Sequence, residues 1–312
     1  MTFDDLNSFG EKRKPFLFIS DFKAQNLKII ALDELDDNDI EFSINEHFEV
    51  KKHSHTLEKL ASNFSDYEKK FNSVMEDIKS GNTYLLNLTQ PSKIRTSLTL
   101  KEIYANANAH YKLRYKDEFV CFSPEQFICI RESRIHTFPM KGTIDAQIPD
   151  AKNIILSDKK EMAEHIMVVD LLRNDLSIVA SDVRVEKFRY VKSIDAGEKR
   201  LLQVSSHISG SLFGNWHEKI GDILKAMLPA GSISGAPKKS TLDIIHRVEM
   251  YERGFFSGVF GVYDGKSFDS GVMIRYIEKT ADGLIYKSGG GITLDSDAKS
   301  EYNELLDKIY LP

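Results

Sequence analysis

The chain has 312 residues, of which 41% are hydrophobic and 29% charged, and its 42 Lys and Arg against 47 Asp and Glu give a formal charge of −5. That is the composition of a soluble globular protein without the basic surface a nucleic acid would need. Cys121 and Cys129 are too few and too close for a disulfide framework or a zinc spacing, no run approaches the roughly 20 apolar residues of a membrane span, and MTFDDLNSFGEKRK lacks an export-signal core, so a cytoplasmic protein is expected.

Residues 15–50 hold two strand-like runs, Phe16 to Ile19 and Leu27 to Leu32, followed by the acidic loop DELDDND. Phe71, Val74, Met75 and Ile78 recur at i, i+3, i+4, i+7 before Gly81, which predicts an amphipathic helix with a glycine stop. A strand-like NTYLLNLTQ follows, then short β-rich runs between 119 and 143, and helical periodicity again over 158–173. Strands are expected over 182–213, with a polar stretch around Gly197. Further helices are expected from Ile220 to Leu228, from Pro237 to about Tyr251, and from about Asp297. Three strands, GVFGVY, GVMIRYIEK and GLIYKSG, are separated by the turn signals Asp264-Gly265 and Asp282-Gly283. Strand clusters joined by hairpins rather than βαβ crossovers predict an α+β fold with antiparallel sheets. Residues 1–65 are expected to be a short strand region packed on a domain spanning 66–312, the two interwoven.

Four groups of residues carry chemistry. Lys141 sits in the turn PMKGT, next to Gly142 and Thr143, where a lysine can serve as a nucleophile. In SDKKEMAEHIMVVDLLRND, Asp158 is placed to cap a helix, with Glu161 completing a capping box and Glu164 on the same face. The following IMVVDLL is apolar nearly all round, so the helix is expected to be buried, and buried carboxylates call for a cation. After Gly289, Gly290 and Gly291, a second helix carries Glu301 and Glu304 at the same spacing; two such helices face to face would offer oxygen ligands suited to Mg²⁺. The glycine triplet is either a flexible turn or a place where backbone N–H groups hold a carboxylate. In PAGSISGAPKKST, a Gly/Ser loop delivers a helix N-terminus with Lys238 just inside, a pattern for anion binding that is not a nucleotide loop. Arg275, inside GVMIRYIEK, is either a water-facing edge residue or a carboxylate clamp.

Together the ordered blocks SGNTYLLNLTQ, SPEQF, PMKGT, EMAEHIMVVDLLRND with PAGSISGAPK, and GGGITLDSDAKSEYNE resemble the chorismate-utilising enzymes over about residues 66–312, most closely the aminodeoxychorismate synthase component I branch. The resemblance implies two stacked antiparallel β-sheets with outer helices and an active site in the cleft between them. It implies that Glu161, Glu164, Glu301 and Glu304 hold Mg²⁺ against the ring carboxylate of chorismate. It further implies that Ser232, Lys238, Phe256, Gly258, Arg275 and the amides around Gly290 line the substrate site, with Gly142 and Thr143 beside the lysine. Glu125 of SPEQF matches an acid that protonates the departing carbon-4 hydroxyl, and Lys141 a lysine that adds to ring carbon 2 before ammonia enters at carbon 4. Such a lysine must be deprotonated, which burial favours. The product, 4-amino-4-deoxychorismate, leads to 4-aminobenzoate and folate.

Some positions depart from the family pattern. Gln203 stands where anthranilate synthases carry a histidine thought to assist pyruvate loss, and Phe256 where many relatives have tyrosine or tryptophan. No glutaminase triad fits in the chain, so ammonia is expected from a separate glutamine amidotransferase subunit. Anthranilate synthase is the nearest rival, opposed by Lys141 and Gln203; a silent chorismate-binding subunit is opposed by the full set of glutamates.

Overall fold

A computed structural model describes residues 1–46, 55–60, 63–196 and 199–312. Every strand pairing in it is antiparallel, and the strands form two sheets. The first runs in the order Met140–Asp145, Lys199–Leu212, Arg134–Thr137, Gln126–Arg131, Phe268–Val272, Val259–Tyr263, Phe16–Ser20, Leu27–Ala31, with Ala180–Ala196 also paired to Lys199–Leu212. The second runs Gly235–Ala236, Leu85–Thr96, Gly283–Ile292, Tyr276–Thr280, Phe119–Ser123, Tyr111–Tyr115, Ile40–Ile44, with Leu57–Leu60 also on Leu85–Thr96. This is the α+β class expected, and alternation explains it: Leu17 and Ile19 of the first sheet pack with Leu113, Phe119, Cys121 and Tyr276 of the second, while Phe16, Phe18, Val120 and Phe122 enter the larger core. Both cores draw residues from the two sheets.

Helices follow the predicted periodicities. Phe64–Lys79 buries Tyr67, Phe71, Val74 and Ile78, is capped by Asn63, and stops before Gly81 at φ +75. Three helices had not been expected, Phe3–Glu11, Leu100–Asn106 and Ala151–Ser157. Phe3–Glu11 is fixed by a capping box between Thr2 and Asp5, and it docks on the 216–227 segment. The first 46 residues thus contribute a helix and strands to both sheets, with Phe16–Ser20 paired to Val259–Tyr263. A short helix, Ala151–Ser157, also precedes the expected one at Lys159–Ser177. The polar stretch around Gly197 lies outside the described residues.

Two expectations need correction. GVMIRYIEK is not one strand: Phe268–Val272 belongs to the first sheet and Tyr276–Thr280 to the second, and Arg275 sits at the crossing with φ +52. The helix Lys159–Ser177 is buried on one face only, since Met162 and Ile166 are exposed while Glu164, His165, Val168, Val169 and Leu172 are buried. No described helix is long and apolar enough to cross a membrane.

Near the first helix, His217 is buried, its Nδ1 lies 2.6 Å from the Tyr263 hydroxyl, and its ring stacks on Trp216 at 3.8 Å. Burial, reinforced by Arg13, pushes its pKa down to about 4 against the weaker pull of Asp264. Because the folded value lies below the unfolded one, the folded state binds fewer protons. Its contribution is therefore complete above about pH 6.5 and is lost as pH falls toward 4. Unfolding free energies from urea titration should drop between pH 7 and pH 5 by on the order of 1 kcal/mol more for wild type than for His217→Gln. Parallel pH profiles for the two proteins would refute the assignment.

Candidate active site

Lys141 begins the site. Its strand, Met140–Asp145, lies at the edge of the first sheet, and the pairing with Lys199–Leu212 shifts register between Met140 and Thr143. Gly142 sits in that irregularity with φ +83, and a Cβ there would come within 3.1 Å of Glu161 Oε2. A glycine at this position therefore serves both the backbone turn and the neighbouring carboxylate. Lys141 Nζ reaches Glu164 Oε2 at 2.8 Å, and a Cβ on Gly291 of the opposite sheet would stand 3.5 Å from the same nitrogen. The lysine therefore reaches from the first sheet to the second.

The two glutamate pairs lie within electrostatic reach of each other and of Lys141. Asp158 caps the first helix by accepting from the Glu161 N–H at 2.9 Å, which leaves the Glu161 side chain facing Gly142 rather than closing a capping box. Asp297 caps the second helix, Ala298–Asp307, and Glu301 accepts from Ser296 Oγ at 2.9 Å. A Cβ on Gly290 would meet Glu301 Oε2 at 3.3 Å, Lys308 Nζ at 3.7 Å and Glu304 Oε1 at 4.0 Å. The glycine triplet is not a turn: all three residues lie in Gly283–Ile292, paired with Leu85–Thr96; Gly290 and Gly291 make room for charged groups, while Gly289 packs against Leu88 O and Thr89.

The charges are unevenly balanced. Burial and the Glu164 charge push the Glu161 pKa up, with Lys141 opposing. Glu301 is also raised, by burial and then Glu304, against the Ser296 hydrogen bond. Glu304 is lowered because Lys308, at 2.7 Å, and then Lys141 outweigh burial. Two of the four carboxylates are thus short of positive charge, and an all-oxygen donor set of this kind fits a hard cation. As placed, Glu164 and Glu304 are paired with lysines, Glu301 accepts from Ser296, and among the described residues no three such groups gather around one point.

Lys141 itself departs from expectation. Burial lowers its pKa, but Glu164, Glu304 and Glu161 together outweigh burial, and the net shift is upward. The resting amine is therefore held protonated by the carboxylates around it. A sequence shows that these residues are near one another more readily than it shows which charge dominates.

Glu125 is partly buried, and burial pushes its pKa up against a 2.5 Å hydrogen bond from Ser232 Oγ and the positive charges of Arg275, Lys141 and Lys308. That environment favours the protonated carboxyl, as a proton donor requires. The crossing between sheets aims Arg275 inward, where its Nε is buried without a partner and its guanidinium lies 5.6 Å from the Tyr310 ring.

Four expected site residues fall elsewhere. Lys238 Nζ pairs with Asp175 at 3.1 Å and donates to Met227 O at 3.0 Å, and Asp175 lies three turns, about 16 Å, along the helix from Glu164. Its charge is consumed by an internal partner that sequence spacing did not reveal. Phe256 is 2% exposed in the smaller core beside Tyr276, and a Cβ on Gly258 would lie 2.0 Å from Ser20 O; both serve packing. Thr143 is exposed, and Gln203 is its partner across the strands. His207 approaches His136 at 3.0 Å and stacks on Phe138, away from the glutamates.

Two lysines were missed. Lys160 lies 4.0 Å from Glu164, and Lys308 bonds Glu304 and Gly289 O at 2.8 Å. The signal for Lys308 was its position four residues after Glu304 on the same helix face.

Comparison with known proteins places this geometry among relatives. The model of a family described as chorismate binding enzyme matches residues 13–311. A Pasteurella multocida protein described as PabA-like is 45% identical over 98% of this chain and 96% of its own length. Aminodeoxychorismate synthase component 1 of Salmonella typhimurium is 31% identical over 78% of this chain, which spans 56% of that synthase. Among solved structures, a Bacillus anthracis isochorismate synthase superposes with a TM-score of 0.70 at 18% identity, covering 98% of this chain and 85% of its own, a likeness of fold.

Proposed function

The chain belongs to the chorismate-binding enzyme family, and from that premise we propose that it converts chorismate and ammonia into 4-amino-4-deoxychorismate, the activity of an aminodeoxychorismate synthase. The observation that carries this is a lysine amine reaching from the first sheet to the second at Lys141, within the electrostatic reach of Glu125 and of three of the four glutamates. Lys141 Nζ adds to ring carbon 2 as the carbon-4 hydroxyl leaves, and Glu125 gives that oxygen its proton, so water departs. The proton on Nζ must leave first, and Glu164 at 2.8 Å is the acceptor within reach. Ammonia then bonds to carbon 4 and the lysine is expelled.

Glu161, Glu164, Glu301 and Glu304 would hold Mg²⁺, which supplies positive charge to the cluster and to the substrate's ring carboxylate. Arg275, with its unpartnered Nε, would hold a second substrate oxygen anion. Ammonia would come from a separate glutamine amidotransferase, a partner compatible with the aminodeoxychorismate synthase resemblance.

Purified protein given chorismate, Mg²⁺ and ammonium should form 4-amino-4-deoxychorismate without pyruvate, and Mg²⁺ alone should raise the melting temperature of wild type more than that of Glu301→Gln. Anthranilate formed with an equal amount of pyruvate would establish the rival activity. No turnover, even with an added amidotransferase, would leave a binding subunit.

A further inference from the structure

Facing Lys141, one part of the second sheet presents the uncharged residues Leu85, Asn87 and Gly291. It is the part of Leu85–Thr96 that pairs with Gly283–Ile292, where Gly291 lies directly opposite Asn87. A Cβ on Gly291 would meet Leu85 Cδ1 at 3.2 Å and Lys141 Nζ at 3.5 Å. Directly opposed residues share a sheet face, as do residues two apart on one strand, so Leu85, Asn87 and Gly291 lie on one face beneath the lysine. Leu85 is 5% exposed and closes one side of this face.

Asn87 is only partly buried, and its main chain is fully engaged: its N–H donates to Ser234 O at 2.9 Å and its carbonyl accepts from Arg253 at 2.7 Å. The backbone is therefore fixed, while the side-chain amide has no hydrogen-bond partner among the described residues. An uncharged amide on that face, with its backbone fixed and its side chain unpaired, is available to a ligand.

We propose that Asn87 is the binding residue for the incoming ammonia, an inference that rests on the amination reading above. Ammonia carries three N–H donors and one lone pair. The Asn87 carbonyl oxygen can accept one N–H and leave the lone pair free to attack, which a charged lysine or arginine cannot do. In the step itself the ammonia nitrogen bonds to ring carbon 4, the two conjugated ring double bonds shift back toward carbon 2, the bond from carbon 2 to Lys141 Nζ breaks with its electron pair going to the lysine nitrogen, and one proton passes from the new ammonium to that nitrogen. An amide does not titrate, so it orients the nucleophile without activating water as a base would.

The test uses the full chain with chorismate, Mg²⁺ and ammonium chloride. Asn87→Ala should raise the KM for ammonium about tenfold, the worth of one hydrogen bond, with the KM for chorismate unchanged. Intact-protein mass should show the lysine adduct accumulating on Asn87→Ala during turnover, because only the second step is slowed. A purely structural role would raise both KM values and lower the melting temperature, and Asn87→Ser, which keeps an acceptor, would not recover ammonium affinity. Equal KM effects, or an unchanged ammonium KM in a folded variant, overturn the proposal alone. Wild-type protein that forms no aminated product overturns it together with the function it rests on.

Discussion

Lys141→Ala should lower the rate of 4-amino-4-deoxychorismate formation roughly 10³-fold or more, because the substitution deletes the atom proposed to bond to the ring. Chorismate affinity should change far less, since the anion contacts proposed for Arg275 and the glutamate cluster remain. Lys141 also balances charge, being 2.8 Å from Glu164, so a loss of rate by itself would not separate nucleophile from counter-ion. Lys141→Arg makes that separation. Its guanidinium keeps the ion pair but stays protonated and cannot attack carbon. An arginine variant as slow as the alanine variant, with no mass adduct on either, fits a nucleophilic lysine; an arginine variant restored to near wild-type rate would remove it from the mechanism.

The parts of the site that could be read from sequence are those fixed by local geometry. Glu161 with Glu164, and Glu301 with Glu304, had to share helix faces, and Asp158 and Asp297 had to start those helices; the caps are present in both cases. Gly142 marked a backbone conformation that other residues adopt with difficulty. What could not be read depends on partners distant in the chain. Lys238 looked like an anion contact because nothing nearby in sequence announced Asp175, and Gly258 looked like a ligand contact because its neighbour, Ser20, is far away in the chain. Arg275 lay in an apparent strand because a crossing between sheets leaves the apolar pattern almost unbroken. The charge state of Lys141 was the hardest of these. Burial and carboxylates pull it in opposite directions, and the winner depends on distances rather than on residue types. The helix Phe3–Glu11 was legible in principle, since Thr2 and Asp5 form a capping box ahead of it.

Removing either member of the Glu249–Arg253 pair should cost about 3–5 kcal/mol of stability, the largest loss expected for any single substitution outside the candidate site. Arg253 is 2% exposed, and its guanidinium donates to Glu249 Oε2 at 2.8 Å, Glu249 Oε1 at 2.6 Å, Ile233 O at 2.9 Å and Asn87 O at 2.7 Å, while its charge lies 4.3 Å from the Phe22 ring. Glu249 Oε1 also accepts from the Thr89 N–H at 2.8 Å and its hydroxyl at 2.7 Å. Glu249→Ala would strand a buried guanidinium and the Thr89 N–H; Arg253→Met would strand a buried carboxylate. Urea midpoints should fall sharply for each single variant with the slope unchanged, while Glu249→Leu/Arg253→Met should recover much of the loss because neither charge is then left unpaired. A single variant losing under about 1 kcal/mol would show the pair to be solvated. Activity should follow stability only in part. Arg253 grips Ile233 O, next to the Ser232 that bonds Glu125, and Asn87 O, on the wall opposite Lys141, so the double variant should fold yet remain slow. A double variant with both stability and rate restored would mean that those two segments hold their places without the arginine.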